Sequence, residues 1–261
     1  MNSDYIHRIY NSRYFWWHLT LSDLRAKYQR TALGLLWAII QPLGMTLIFA
    51  FVLINIFNQP AQDTILYIYS GLIAWEMIMF GAVSGSMSFL NAAPYMKQFA
   101  HPIAIYPLRS ALVGFVNFGL AFIGLILWVL IRQPENLSLS WLILPISMIL
   151  LFSVIWPGAI ICAIIGTLFR DFSQLITLLL QALWFASPVF FSPQVFINSG
   201  IGFLVYNNPV YHLLELIRAP ILYGIFPSTM DYGYTFLTML ILWGIALYLI
   251  SHFEKRIILY V

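Results

Sequence analysis

LSDLRAKYQRTALGLLWAIIQP, residues Leu21–Pro42, changes character halfway along. Asp23, Arg25, Lys27 and Arg30 crowd its first half, and no further charge occurs before Asp63. The same contrast runs through the chain, whose 261 residues are 62% hydrophobic and 8% charged; soluble domains carry about 25% charged residues. So few charges cannot cover a water-soluble fold of this size. Several segments run uncharged for the ~20 residues that a helix needs to cross about 30 Å of hydrocarbon. A transmembrane β-barrel would instead show alternating strands of ~10 residues, and nothing here alternates. The sequence predicts an all-α polytopic membrane protein.

Six spans are expected, at roughly 31–57, 64–90, 108–131, 140–168, 172–192 and 233–253. Residues 1–30 read as an interfacial segment and 31–261 as one transmembrane domain. Turn chemistry separates the spans at Asn58-Gln59-Pro60, Ala93-Pro94, Arg132-Gln133-Pro134-Glu135-Asn136 and Arg170-Asp171. With six spans, both termini and the loops after spans two and four share one side. That side carries Arg8, Arg13, Arg25, Lys27, Arg30, Lys97, Arg109, Arg170, Lys255 and Arg256, which leaves only Arg132 and Arg218 opposite. An excess of this kind marks the cytoplasmic face, so both termini are expected in the cytoplasm. Residues 193–232 are apolar, yet Asn207-Asn208-Pro209, Pro220 and Pro227 break them up. A full crossing there would carry Lys255 and Arg256 outside, against the bias. Short helices dipping into the outer leaflet are expected instead, provided protein or water covers their broken backbone. Glu215 and Arg218 stand three apart in this segment, a spacing that allows them to pair on one helix face.

The opening stretch belongs to a helix. Tyr14, Trp17, Leu21, Leu24 and Tyr28 recur at helical spacing and draw one apolar stripe. Asp23 and Lys27, four apart, are placed to pair. An amphipathic helix of this composition lies in the membrane interface, with its bases among the headgroups.

Motifs for soluble chemistry are lacking. There is no G-x-x-x-x-G-K-[ST] loop to cradle phosphates, the five histidines are scattered, without a pair at metal-ligand spacing, and Cys162 has no second cysteine to join. Gly81-x-x-x-Gly85 in span two and Gly158, Cys162 and Gly166 in span four form rows of small residues that let helices approach closely. Glu76 is the candidate for function. A carboxylate in the middle of a span is costly unless it is solvated or paired, so it is expected to face a polar cavity. Aromatic residues make up 17% of the chain, and Phe49, Phe51, Trp184 and Phe185 sit deep in expected spans. Facing a path, they could stack on the apolar faces of sugar rings.

Three stretches carry a resemblance. DLRAKYQRTALGLLWAIIQP runs from a charged helix into G-x-x-W-x-x-x-x-P; KQFAHPIAIYPL places Pro102 and Pro107 five apart; RDFSQLITLLLQALWFASPVFF is followed by NNPVYHLLELIRAPILYG. In this order they resemble the membrane subunit of ABC-2 type polysaccharide exporters, which move O-antigen, capsular polysaccharide and teichoic acid. The resemblance implies a transport subunit, with no catalytic, metal or cofactor site of its own, in the bacterial inner membrane. It implies a homodimer resting on two copies of a cytoplasmic ATPase that holds ATP and Mg. The loop between spans two and three would be a coupling helix docking into that ATPase through Tyr95, Met96, Lys97, Phe99 and His101, although relatives usually carry an aromatic where His101 stands. Spans one and five would line a path for lipid-linked polysaccharide, most often O-antigen, with Trp37, Phe49, Phe51, Glu76, Trp184 and Phe185 along it. Short gate helices holding Glu215 and Arg218 would close its outer end. The alternative reading from the residues is a proton-coupled secondary transporter that titrates Glu76.

Overall fold

The computed structural model describes residues 3–29, 31–58, 60–98, 101–254 and 256–261, and among these the regular elements are all helical. In chain order they are α1 (Ser3–Asn11), α2 (Arg13–Tyr28), α3 (Trp37–Phe57), α4 (Ala61–Ser86), α5 (Ser88–Gln98), α6 (Ile105–Arg132), α7 (Leu144–Leu168), α8 (Phe172–Ala186), α9 (Pro193–Asn198), α10 (Phe203–Tyr206), α11 (Pro209–Leu222) and α12 (Thr229–Phe253). Five stretches, Gly34–Ile56, Asp63–Ser86, Ile105–Arg132, Leu139–Leu168 and Thr229–Phe253, are long and apolar enough to cross a membrane. The chain is a multi-pass membrane protein. The fifth expected span, 172–192, is the apolar but shorter α8, of 15 residues. Ser187 precedes Pro188 and is forced out of helical geometry, with φ −112° and ψ 148°. The last span begins ahead of 233 because Ser228 and Asp231 form a reciprocal cap: the Asp231 N–H donates to Ser228 Oγ at 3.2 Å and the Ser228 N–H to Asp231 Oδ2 at 2.8 Å.

Helix α4 is the hub, packed by α3, α6, α7, α8 and α11. The most apolar window of its span is 67% buried, against 22% in the first span and 11% in the last. Small residues make this possible. A Cβ on Gly85 would fall 2.9 Å from Ala159 Cα on α7, and one on Gly166 would meet the Ser86 carbonyl. The expected close approach therefore holds for Gly85 and Gly166, whereas Gly158 faces open space.

The two ends of the bundle differ. At one end α1, α5, the start of α6 and the last residues share a core of Tyr5, Ile9, Met96, Ile103 and Ile257. Lys97 donates to the Val261 carbonyl at 3.0 Å, and Ser12 Oγ and His101 Nδ1 lie 3.1 Å apart. Both termini and the loop after the second span thus gather on one side. Helix α2 lies along α6 near this end, held by a bidentate pair of Asp23 with Arg109 and by Tyr28 Oη, which donates to Asn117 Oδ1 at 2.7 Å. Asp23 turns to Arg109 and does not pair with Lys27, because the guanidinium fork offers a carboxylate two parallel bonds. Docking also splits the expected stripe: Leu24 and Tyr28 are buried against the bundle, while Tyr14 and Trp17 face outward.

At the other end α9, α10 and α11, of 6, 4 and 14 residues, are each too short to cross. Arg218 on α11 is 0% exposed. It does not pair with Glu215. It donates to the carbonyls of Pro188 at 2.6 Å, of Tyr67 at 3.3 Å and of Val189, and to Tyr67 Oη at 3.0 Å, with its guanidinium 3.8 Å from the Tyr67 ring centre. His212 links the same helix to its neighbours. Its Nδ1 is 2.7 Å from Asp231 Oδ1 on α12 and its Nε2 is 3.0 Å from the Tyr206 carbonyl on α10. The ring also stacks on Tyr234, 4.0 Å between centres. Two acceptors suit the imidazolium, which donates from both nitrogens. Burial opposes that charge, but Asp231 and the Tyr206 carbonyl outweigh it, and the His212 pKa is raised.

Two predictions follow from packing and charge. Gly85→Ala should lower the melting temperature in detergent, by an overpacking cost of about 1–3 kcal/mol, while Gly158→Ala should not; equal melting of the two would argue against the α4–α7 close approach. A raised histidine pKa contributes stability that is complete below the unfolded value and is lost as pH rises through the folded value. Glu215, held up to about 7 chiefly by burial, tilts stability the same way. Wild-type melting should therefore fall between about pH 5 and about pH 8, and His212→Gln should flatten that fall and cost most in acid, about 1.5–3 kcal/mol. An unchanged slope would refute the charged link.

Candidate functional site

A cavity of about 550 Å³ opens between α2, α3, α4 and α6. Each wall brings one kind of chemistry. Lys27 and Tyr28 end α2, Trp37 and Gln41 come from the first turns of α3, Glu76 and Phe80 from the middle of α4, and Asn117 from α6. Glu76 thus lines a cavity whose walls are mainly apolar, with Lys27, Gln41 and Asn117 as polar groups among them. Among the described residues no side chain hydrogen bonds to it; its electrostatic partner is Lys27, on α2. Lys27 stands over the rings of Tyr28 and Phe80, at 5.1 and 5.6 Å from their centres. Burial lowers its pKa below the usual lysine value, with the charge of Glu76 working against that shift.

A smaller cavity of about 200 Å³ adjoins, sharing Lys27, Phe80, Ser84 and Asn91 with the first. Arg109, Tyr106 and Ser88 also line it. Tyr106 Oη and Ser88 Oγ are buried without a hydrogen-bond partner among the described residues.

The aromatic candidates divide between two places. Trp37 lies on the large cavity, with 41% of its surface exposed. Phe49 and Trp184 pack together at the far end of α3 and α8, 5.7 Å between ring centres, and Phe190 stacks on Phe49 at 5.2 Å. Phe51 and Phe185 point away from the chain, 69% and 60% exposed. Neighbours on one helix face about 100° apart, which is why Trp184 turns inward and Phe185 outward. These residues do not converge on one site within a single chain.

The coupling candidates separate in the same way. Tyr95 and Lys97 lie on the exposed side of α5, together with Pro94 and Gln98. Met96 turns instead into the core with Tyr5 and Ile257, so it has no surface to dock with. His101 stacks on Phe15, 4.3 Å between centres, which ties the loop to α2. Phe99 lies outside the described residues, as do Arg30 and Lys255. Sequence reasoning missed Asn117, although an amide inside an apolar run signals much as Glu76 does. It also missed the pairs Asp23–Arg109 and His212–Asp231, whose separations match no local spacing rule.

A family model described as ABC-2 type transporter matches residues 14–222. An O-antigen export system permease protein of Klebsiella pneumoniae is 23% identical over 235 residues, which cover 89% of this chain and 87% of that protein. A polysialic acid transport protein of Escherichia coli is 24% identical over 243 residues, covering 88% and 90%. An O-antigen export system permease protein of Myxococcus xanthus is 21% identical over 217 residues, covering 82% of each. Helical spans and a family match across most of the length agree, and the chain belongs to the family of ABC-2 type transporters.

Proposed function

We propose that this chain is the transmembrane subunit of an ATP-driven exporter that carries lipid-linked polysaccharide, O-antigen above all, outward across a bacterial inner membrane. The observation that carries the reading is likeness along most of the chain to proteins named for the export or transport of surface polysaccharides. Two copies form the channel, and α3 and α8 line it. The outward-facing Phe51 and Phe185 suit such a path. Stacking on aromatic faces is broad and weakly directional, so a long polymer slides past without being held. The partner ATPase, in two copies, binds ATP and Mg and rests on the exposed side of α5. Ten of the twelve Lys and Arg residues fall in the segments expected on that side, a bias that supports a cytoplasmic position for both termini. Helices α9 to α11 serve as the outer gate.

A second reading draws on Glu76, a carboxylate inside a span that faces Lys27 across a cavity. It could be the titrating group of a proton-coupled carrier.

Energetics and docking separate the readings. Inverted membrane vesicles containing the chain and its ATPase should take up lipid-linked glycan only with ATP, and should continue when a protonophore collapses the proton gradient. Uptake that needs the gradient and ignores ATP would establish the proton-coupled carrier. Tyr95→Asp should place an unpaired charge in the ATPase contact, costing several kcal/mol, and so abolish co-purification while the chain still inserts. Met96→Ala should instead lower the melting temperature, as the loss of a buried side chain does. Normal co-purification with Tyr95→Asp would move the contact away from α5.

A further inference from the structure

We propose that the large cavity is a carbohydrate-binding subsite contained within one copy of the chain, and that it takes the sugar ring next to the lipid anchor. The proposal rests on the export reading above and adds the place where the substrate is first recognised.

Four observations converge. At about 550 Å³ the cavity is of a size that encloses small ligands, with room for more than one hexose. Trp37 is among its lining residues, and an indole suits the apolar C–H face of a sugar ring. Hydrogen-bonding capacity is left over on two sides: the Glu76 carboxylate has no hydrogen-bond donor from the described residues, and the Asn117 oxygen accepts from Tyr28 at 2.7 Å, which leaves the Asn117 amide N–H groups for a ligand. The charges of Glu76 and Lys27 offset one another, so the cavity selects by hydroxyl bonding and stacking; a phosphate would need surplus positive charge.

A lipid tail would leave Glu76 and the Asn117 amide unbonded. A hydroxylated ligand satisfies them. Position decides which ring: the cavity lies beside α2, the helix read as interfacial, and a substrate anchored in the leaflet presents only its lipid-proximal ring at that depth.

The test is saturation-transfer difference NMR on the full chain in nanodiscs, with methyl α-glucopyranoside and methyl N-acetyl-β-glucosaminide as probes. Wild type should transfer magnetisation to at least one of them. Trp37→Ala and Asn117→Ala should reduce the signal more than about fivefold, an effect expected of losing an oriented polar or stacking contact. Glu76→Gln should retain more of it than Glu76→Ala, since the amide still accepts a hydrogen bond. Gly158→Ala, outside the cavity, should match wild type, and a melting curve for each variant checks that it is folded. No transfer to wild type, or equal transfer to all variants, overturns the subsite. So does displacement of the glycoside by inorganic phosphate with no dependence on Trp37, which would make this an anion site. Surface polysaccharide separates the two levels of the argument. If deleting the gene leaves it unchanged, the export reading fails. If deletion removes it but the Trp37→Ala and Asn117→Ala strains display normal amounts, only the subsite fails.

Discussion

The fold depends on one buried cation. Helix α8 stops at Ala186 and the chain then runs irregularly past Pro188 and Val189, leaving carbonyls that no helix satisfies. Both residues are buried, and buried backbone carbonyls need partners. Arg218 reaches in from α11 with a planar set of five donors and binds the Pro188, Val189 and Tyr67 carbonyls together. A positive charge at the C-terminal end of a helix is also favoured by the helix dipole. Gly71 on α4 makes the space, since a Cβ there would collide with the guanidinium. One side chain therefore joins α4, α8 and α11, and permits the broken backbone that distinguishes this end of the bundle.

The opposite end uses polar groups differently. The charges before the first span tie α2 to the bundle. Asp23 pairs with Arg109, and Tyr28 bonds to Asn117, so α2 is held against α6 at a fixed register. With α2 in place, Lys27 is carried over the cavity that contains Glu76. The carboxylate is tolerable within a span because that cavity and that ammonium face it. The junction of basic and apolar sequence at Leu21–Pro42 is thus an anchoring site and the wall of a cavity at once.

Much of this was legible in the chain. Long uncharged runs marked the spans, prolines marked the broken segment, and a lone carboxylate in an apolar run marked Glu76. What stayed hidden depended on partners far apart in sequence. Spacing favoured Asp23 with Lys27 and Glu215 with Arg218, because local rules see only one helix at a time. Arg109 won Asp23 by bidentate geometry across two helices. Arg218 chose backbone carbonyls, which every residue carries and no sequence pattern flags. Met96 looked available beside Tyr95 and Lys97, yet successive residues on α5 face different ways, and its side chain went to the core made by α1 and the C-terminal residues. The exposed aromatic residues were foreseeable in kind, but which of Trp184 and Phe185 turned inward depended on the position of Phe49 and Phe190.

The central placement of α4 has a mechanical corollary. Its 26 residues make a rod about 39 Å long, flanked at one tip by α5 and clasped near the other by Arg218. A stiff rod pivoting in a close-packed sleeve cannot move one tip alone. A tilt of about 5° about its midpoint carries each tip roughly 1.7 Å in opposite directions. Leverage applied at α5 therefore arrives at the Arg218 cage with reversed sign, so the two ends of the bundle are geared to each other by rigidity alone.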